Sequence, residues 1–374
     1  MTDPIRVLAL SPIPEEGAGC RFRIAQFIPY LESAGIEVTL QSLFTPEFFR
    51  LVYKPGRYLR KAFGFARLSL ERLDSLRDAS RFDLIFIYRE VFPIGPGLIE
   101  RLLTMRGRPP VVFDFDDAIF LPNVSDANRL IAALKAPSKV DTIIRRCDHV
   151  IAGNAFLAGY ARRLNTAVTM IPTCVDTTRF VPSSDAWSAN GSGPVRTPVV
   201  GWIGSPTTAG YIRDLTPVLR RVREGHPFVL RVSGASDPVQ VPGVIVDNAA
   251  WALDREVELF NTCDVGVYPL TDDEWSKGKC GFKAIEFMAC GVPVVAAAVG
   301  VNREIIDDGV NGLLASTEDE WVEKIGRLLS DRELRRRLAA AGRRTIEERY
   351  SLDVHAPTLA ATLRGVVERA GRHR

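Results

Sequence analysis

Short apolar runs alternate with segments of helical period from one end of the chain to the other. Each run is too short for a helix and about right for a buried strand. In the first half the predicted strands are Arg6–Leu10, Val38–Leu40, Leu84–Tyr88, Val111–Phe115 and His149–Gly153, with helices at Arg21–Ala34, stopped by Gly35, and at Ser138–Cys147. A polar stretch rich in Gly and Ser, from Pro182 to Pro194, then breaks the pattern and reads as an exposed loop. Beyond it the alternation restarts. Strands are predicted at Val199–Ile203, Phe228–Val232, Val244–Val246, Val265–Tyr268 and Val292–Ala296, and helices at Tyr211–Arg223, Glu256–Asn261, Lys283–Ala289 and Glu318–Leu329. Strands separated by helices imply parallel sheets, and two successive doubly wound α/β units fit better than one very long sheet. A last helix-like segment, roughly Leu352 to Arg369, follows after the second unit has used its strands.

Length agrees with two units, since 374 residues exceed one domain of about 150. With 46% hydrophobic and 25% charged residues the chain is ordinary for a globular protein, which excludes wholesale disorder. A net charge of +3 is too small for nucleic-acid binding by bulk charge. The six cysteines, at 20, 147, 174, 263, 280 and 290, form no CxxC pair, which argues for a reducing compartment and against a disulfide scaffold or zinc ribbon. The four histidines (149, 226, 355 and 373) show no metal-ligand spacing. The apolar stretch near Met1 is too short for a signal peptide and no window approaches a membrane span, so a cytoplasmic location is expected.

One stretch changes that picture locally. From Phe48 to Leu70 there is no acidic residue, while Arg50, Lys54, Arg57, Arg60, Lys61 and Arg67 alternate with Phe, Leu, Tyr and Ala. Such a segment is either a solvated helix face packed by its aromatics or a surface for an anionic membrane, which would place the protein at the inner face of the membrane.

The chemistry concentrates in Lys277-Gly-Lys-Cys-Gly-Phe-Lys-Ala-Ile-Glu-Phe-Met-Ala-Cys-Gly-Val-Pro-Val-Val-Ala296. This is a Gly-containing loop, a short helix, a Gly stop and a buried strand. Loop amides and the helix amino terminus offer an anion site, and Lys279 and Lys283 add positive charge there. Glu286 lies one turn after Lys283, where its carboxylate can accept two ribose hydroxyls. The plain alternative is a surface helix with a Lys283–Glu286 pair of little consequence.

This block resembles the donor-binding signature of family 4 glycosyltransferases. Further pieces resemble the same family in the same order. Gly17-Ala-Gly-Cys-Arg-Phe-Arg23, Phe27-Ile-Pro-Tyr-Leu31 and Gly35-Ile-Glu-Val38 look like its first loop, helix and second strand. Ile171-Pro-Thr-Cys-Val-Asp-Thr-Thr-Arg-Phe180 looks like its interdomain segment, and Asp264-Val-Gly-Val-Tyr-Pro269 like the strand before the donor loop. Gly300-Val-Asn-Arg-Glu304 and Asp308-Gly-Val-Asn-Gly-Leu-Leu314 look like the segment after it. The resemblance implies a GT-B fold, two facing Rossmann-like domains with the active site in the cleft. Residues 1–175 would be the acceptor side, with the 352–374 helix packing back on it, and 176–351 the nucleotide-sugar side. It also implies retaining, metal-independent transfer from a nucleoside-diphosphate sugar to a carbohydrate, lipid-linked or small-molecule acceptor, with no nucleic-acid partner.

Two departures stand out. The family pairs two glutamates across seven residues; Glu286 matches the second, but the first falls on Gly278, leaving Asp273 or Glu274 as possible sugar contacts from the same loop. The family's Arg and Lys after the first strand of the second domain are also missing, and Gly201-Trp-Ile-Gly-Ser-Pro-Thr-Thr208 stands there instead. Ser205 or Thr207, with Gly204 before them, can cap the next helix and hold a diphosphate through hydroxyls and free amides, Lys279 and Lys283 supplying the countercharge. Phe282 belongs to the same loop. Trp251 either stacks on the donor base or is a core tryptophan.

The second constellation is Val111-Val-Phe-Asp-Phe-Asp-Asp-Ala118, a strand ending in Asp114, Asp116 and Asp117 at the edge where α/β clefts open. Many family members end this strand with a histidine near the reacting sugar. Asp116 falls about there, as a candidate catalytic group or a loop cap. In the first loop Gly17 and Gly19 permit close approach of a ligand. Arg21 can reach a donor phosphate, and Arg23, with Asp114 and Asp117, belongs to the acceptor side. Asp-Phe-Asp also invites a magnesium-dependent phosphatase reading, although Ala118 and the late position of the motif disagree with it. The string resembles the metal-binding DxD of GT-A transferases too, a reading that leaves the second unit unexplained. A nucleotide-sugar epimerase and a non-catalytic nucleotide-sugar-binding protein are the remaining rivals.

Overall fold

A computed structural model of the chain describes residues 3–52, 54, 56–105, 107–121, 138–183 and 196–372. The predicted loop from Pro182 to Pro194, beyond Ser183, and His373 lie outside the described residues. The chain divides into two compact units, 1–173 with 355–374, and 174–354.

In the first unit six parallel strands lie in the order β2-β1-β3-β4-β5-β6, where β1 is Ile5–Ser11, β2 Ile36–Ser42, β3 Leu84–Tyr88, β4 Val111–Phe115, β5 His149–Ala152 and β6 Val168–Met170. β3 and β4 are buried at every residue, as strands covered on both faces of a parallel sheet must be, which is why β3 reads as an unbroken apolar run and β4 as one interrupted only by Asp114. The edge strand β2 is only partly covered. The carboxyl ends of β1, β3 and β4 therefore come out side by side, and the register sets Tyr88 beside Asp114.

The second unit repeats the plan with the order β12-β11-β10-β7-β8-β9: β7 Val199–Ile203, β8 Val229–Ser233, β9 Ile245–Ala249, β10 Val265–Tyr268, β11 Val294–Ala297 and β12 Leu313–Ala315. Its core runs through Val200, Trp202, Leu230, Val267, Val295 and Ile325. The helix over 318–330 starts with a capping box, the Thr317 hydroxyl accepting from Glu320 N and the Glu320 carboxylate from Thr317 N.

Two predicted helices are split, each at a proline. Arg21–Ala34 is α1 (Ala18–Arg23), a 3-10 turn and α2 (Ile28–Ser33), because Pro29 cannot donate a helical hydrogen bond and its ring crowds the carbonyl four residues back. Tyr211–Arg223 becomes Ala209–Asp214 and Thr216–Gly225, with Pro217 in the first turn of the second piece. The last helix, Leu352–Arg372, lays Leu359 and Leu363 beside Val7, Arg23 and Phe86, and Arg364 donates to the Ala34 carbonyl. No described helix is long and apolar enough to cross a membrane.

Candidate functional site

Alternating buried charges line the carboxyl edge of the first unit. The Arg23 guanidinium holds the Asp114 carboxylate by two hydrogen bonds, Nε to Oδ2 at 3.0 Å and Nη2 to Oδ1, and donates through Nη1 to the Ile171 carbonyl at 2.8 Å. Both residues are all but sealed, at 3% and 1% exposure. Burial raises the Asp114 pKa, against the opposing pull of Arg23. One strand outward, Arg89 donates through Nε to Asp116 Oδ1 at 2.8 Å and through Nη2 to Asp117 Oδ2, and the Tyr88 hydroxyl donates to Asp116 at 2.9 Å. Burial pushes the Asp116 carboxyl up, but the guanidinium groups of Arg89 and Arg23 and the hydrogen bonds outweigh it and hold the pKa below the usual value. Asp116 and Asp117 are part-exposed, so they, rather than Asp114, meet solvent at this edge.

The first loop sits differently from expectation. Side chains of its own unit crowd the Cβ side of both its glycines. A Cβ on Gly17 would stand 2.6 Å from Ile13 Cδ1, and one on Gly19 would stand 2.0 Å from the Tyr88 hydroxyl. Arg21, expected to reach a phosphate, is buried and donates to the carbonyls of Glu15 and Glu16. Arg23, expected on the acceptor side, is turned inward to Asp114. Both arginines lie within α1, which is buried from Cys20 to Arg23.

In the second unit four loops converge at the carboxyl edge. After β7, Ser205 opens a capping box with Thr208, and its hydroxyl lies 2.9 Å from that of Thr207. Gly204 N donates to the Ser233 carbonyl at 3.0 Å, and Gly234 comes so close that a Cβ there would stand 2.2 Å from the Gly204 carbonyl oxygen. After β10, Asp273 caps the short helix Glu274–Lys277 by accepting from Ser276 N at 2.7 Å. Glu274 pairs with Lys277 at 2.8 Å, so both acids considered for the sugar already have local tasks. The Tyr211 hydroxyl lies 3.3 Å from Ser276 Oγ and joins the Ser205 turn to this loop.

The donor-type loop then turns through Gly281 (φ 65°) into the helix Phe282–Ala289. The φ value and the crowding both require glycine, since a Cβ at Gly281 would meet Ile305, Val301 and Asn302. Gly300, also left-handed, lies against the Lys277 backbone. The predicted segments 277–283 and 300–304 are thus packed on each other. Lys283 Nζ donates to Glu286 Oε2 at 2.5 Å. This is no surface pair: Glu286 is 0% exposed, and Lys283 also lies over the Phe260 and Phe282 rings. Lys279 stands over Trp275, and Phe282 and Trp251 are half-buried.

Arg89 and Tyr88 were not singled out in the sequence, because an Arg after an apolar strand gives no periodic signal. What marks Arg89 is its backbone, at φ 59° in a non-glycine residue, an uncommon conformation that clusters at sites where the surroundings enforce it. Asn302 is the other unforeseen residue. It is buried, donates to the Ala297 carbonyl at 2.9 Å, and turns Oδ1 toward Gly281.

Comparison with known proteins agrees with this anatomy. The sequence pattern described as Glycosyltransferase Family 4 matches residues 19–179, and that described as Glycosyl transferases group 1 matches residues 250–345. A D-inositol 3-phosphate glycosyltransferase of Xylanimonas cellulosilytica is 37% identical over 28% of this chain and 24% of its own. One of Nocardia farcinica is 28% identical over 52% of this chain and 48% of its own. The chain spans half or less of the length of these relatives. Sucrose-phosphate synthase from Thermosynechococcus elongatus has a similar structure, with a TM-score of 0.72 at 19% identity over 98% of this chain and 100% of that one. Anabaena HepE in complex with UDP-glucose has a TM-score of 0.65 at 18% identity over 96% and 100%. The two Rossmann-like sheets, the ordered motifs and these matches together make the chain a member of the family 4 glycosyltransferases, with the GT-B fold.

Proposed function

We propose that the protein transfers a glycosyl group from a nucleoside-diphosphate sugar to an acceptor hydroxyl, with retention and without an essential metal. The observation that carries this reading is the convergence of Ser205, the 277–283 loop and Gly300 at one sheet edge, with Lys279 and Lys283 as the cations and Glu286 beneath. In this scheme the diphosphate lies on the amides and hydroxyls around Gly204, Ser205 and Thr207, and Lys279 and Lys283 neutralise the charge that grows on it as the glycosidic bond breaks. Glu286 accepts the ribose hydroxyls while holding Lys283 in place. Phe282 and Trp251 supply apolar walls for the base and sugar.

On the acceptor side Asp116 orients the incoming hydroxyl, with Asp117 beside it. Arg23 and Asp114 act as positioning residues. In a retaining reaction of this kind the leaving diphosphate itself takes the acceptor's proton, so the chain's contribution is placement and charge neutralisation. A phosphatase built on Asp114 is disfavoured, because both oxygens of that carboxylate accept from Arg23. UDP-glucose is the first donor to try, given the ligand of the Anabaena structure, and a phosphorylated polyol is the first acceptor, given the name of the curated relatives.

The test is a melting-temperature screen against nucleoside diphosphates and their sugars, followed by product analysis with donor alone and with donor plus acceptor. A ligand that binds only the folded state raises the midpoint by mass action. Sugar transfer that requires an acceptor supports the reading. Turnover of donor to an isomer without acceptor would replace it with an epimerase, and binding without turnover on any acceptor would leave a binding protein.

A further inference from the structure

The helix α3 (Tyr58–Ser75) is fastened along one face only. Leu68 is buried there, and Phe65 joins the cluster of Leu43 and Phe48. Arg72 donates to the carbonyls of Ser11 at 2.8 Å and Gln41 at 3.0 Å, and Lys61 donates to that of Val52 at 3.2 Å. The Phe48 ring presses on the backbone at Gly64, where a Cβ would stand 2.6 Å from Cε2. These contacts fix which way the helix points.

The opposite face is apolar as well. Leu59, Phe63, Ala66, Leu70 and Leu73 recur at i, i+4, i+7, i+11 and i+14, one stripe about 21 Å long at ~1.5 Å per residue, and all five are exposed. Leu59 is 89% and Phe63 75% exposed. A solvated helix places polar side chains there. The charge is equally one-sided, with Arg50, Lys54, Arg57, Arg60, Lys61 and Arg67 and no acid from Phe48 to Leu70. Glu47 borders the segment at its start, and beyond its end Glu71 pairs with Arg67 at 2.5 Å and Asp74 with Arg77 at 2.5 Å.

We propose that this stripe is the docking surface for an anionic lipid bilayer. Leu59, Phe63 and Leu70 enter the acyl boundary, and the cations of the segment, Arg57 and Arg60 first, meet the lipid phosphates. A second copy of the chain is the weaker occupant, because it brings the same surplus of cations to the contact, whereas an anionic bilayer complements both the apolar stripe and the charge.

The experiment is flotation of the full chain with vesicles of phosphatidylcholine alone or mixed with phosphatidylglycerol. The variants are L59Q/F63Q/L70Q and R57E/R60E, all at exposed positions. Melting curves and nucleoside-diphosphate affinity of each variant report on fold and donor site separately. The expected result is binding to the mixed vesicles only, weakened at least about tenfold by either variant, with melting temperature and nucleotide affinity retained. No binding of the native chain to mixed vesicles, or equal binding of native chain and L59Q/F63Q/L70Q, overturns the proposal. So does a native dimer that the apolar variant converts to monomer while neither form binds lipid.

Discussion

Arg89 Nε lies 2.8 Å from Asp116 Oδ1, and the guanidinium reaches Asp117 as well, from a backbone held at φ 59°. The arginine is the shared charge partner of two consecutive carboxylates at the edge of β4. Without it Asp116 and Asp117 would lose the cation that both share. Arg89→Met should therefore cost about 2 kcal/mol of stability, less than the ~3–5 kcal/mol of a fully buried pair because Arg89 keeps some solvent contact. Urea unfolding measures this directly, and an unchanged midpoint would mean the two acids need no partner.

The same cluster sets a pH dependence. The Asp116 pKa is lowered in the folded protein, so its contribution is fully present above the unfolded value near ~4 and disappears as pH falls through the lower folded value. Melting curves of the native chain and Asp116→Asn should differ most at neutral pH and converge as the pH is lowered below about 4. A gap that widens on acidification would reverse the assigned sign.

Gly19 is the second handle on this edge. Gly19→Ala should destabilise the first unit, because the new methyl would stand 2.0 Å from the Tyr88 hydroxyl. Tyr88→Phe removes that hydroxyl and should recover part of the loss. A double-mutant cycle with no coupling between the two positions would show that the loop yields elsewhere.

Ser205→Ala separates capping from binding. Loss of the capping box should cost about 1 kcal/mol, and affinity for a nucleoside diphosphate should fall several-fold as well. If Ser205→Ala lowers stability alone and leaves affinity intact, Ser205 is only a cap.

Much of this was legible in the sequence, for physical reasons that also mark where legibility stops. β3, β4, β7 and β10 were read to the residue because strands buried on both faces leave a short dense run of apolar residues, broken here only by Asp114, Gly201 and Gly266. β6 and β12, at three residues each, are too short to leave a period. Pro29 and Pro217 were visible as residues, yet an apolar period that continued past them hid the breaks. In the site, the 277–296 block announced a loop, helix and strand through its glycines and lysines, but no spacing rule says that Glu286 is sealed or that Asp273 is a cap. Arg21 and Arg23 were read as ligand contacts at the start of a helix, and no spacing rule says that both are buried on acceptors of their own unit. The basic apolar segment that became α3 was visible, but not its outward stripe, since a helical period gives an apolar face without saying which side the fold covers.

The central claim is that a nucleoside diphosphate is gripped by the 277–286 loop and helix. Calorimetric titration with UDP, or with whichever diphosphate stabilises the chain best, tests it on the native protein, Glu286→Gln and Lys279→Met. Loss of a charge-assisted hydrogen bond, about 1.5–3 kcal/mol, predicts affinity lower by roughly tenfold to a hundredfold in Glu286→Gln, with a clear loss in Lys279→Met as well. Saturable binding of unchanged affinity in both folded variants would contradict the account.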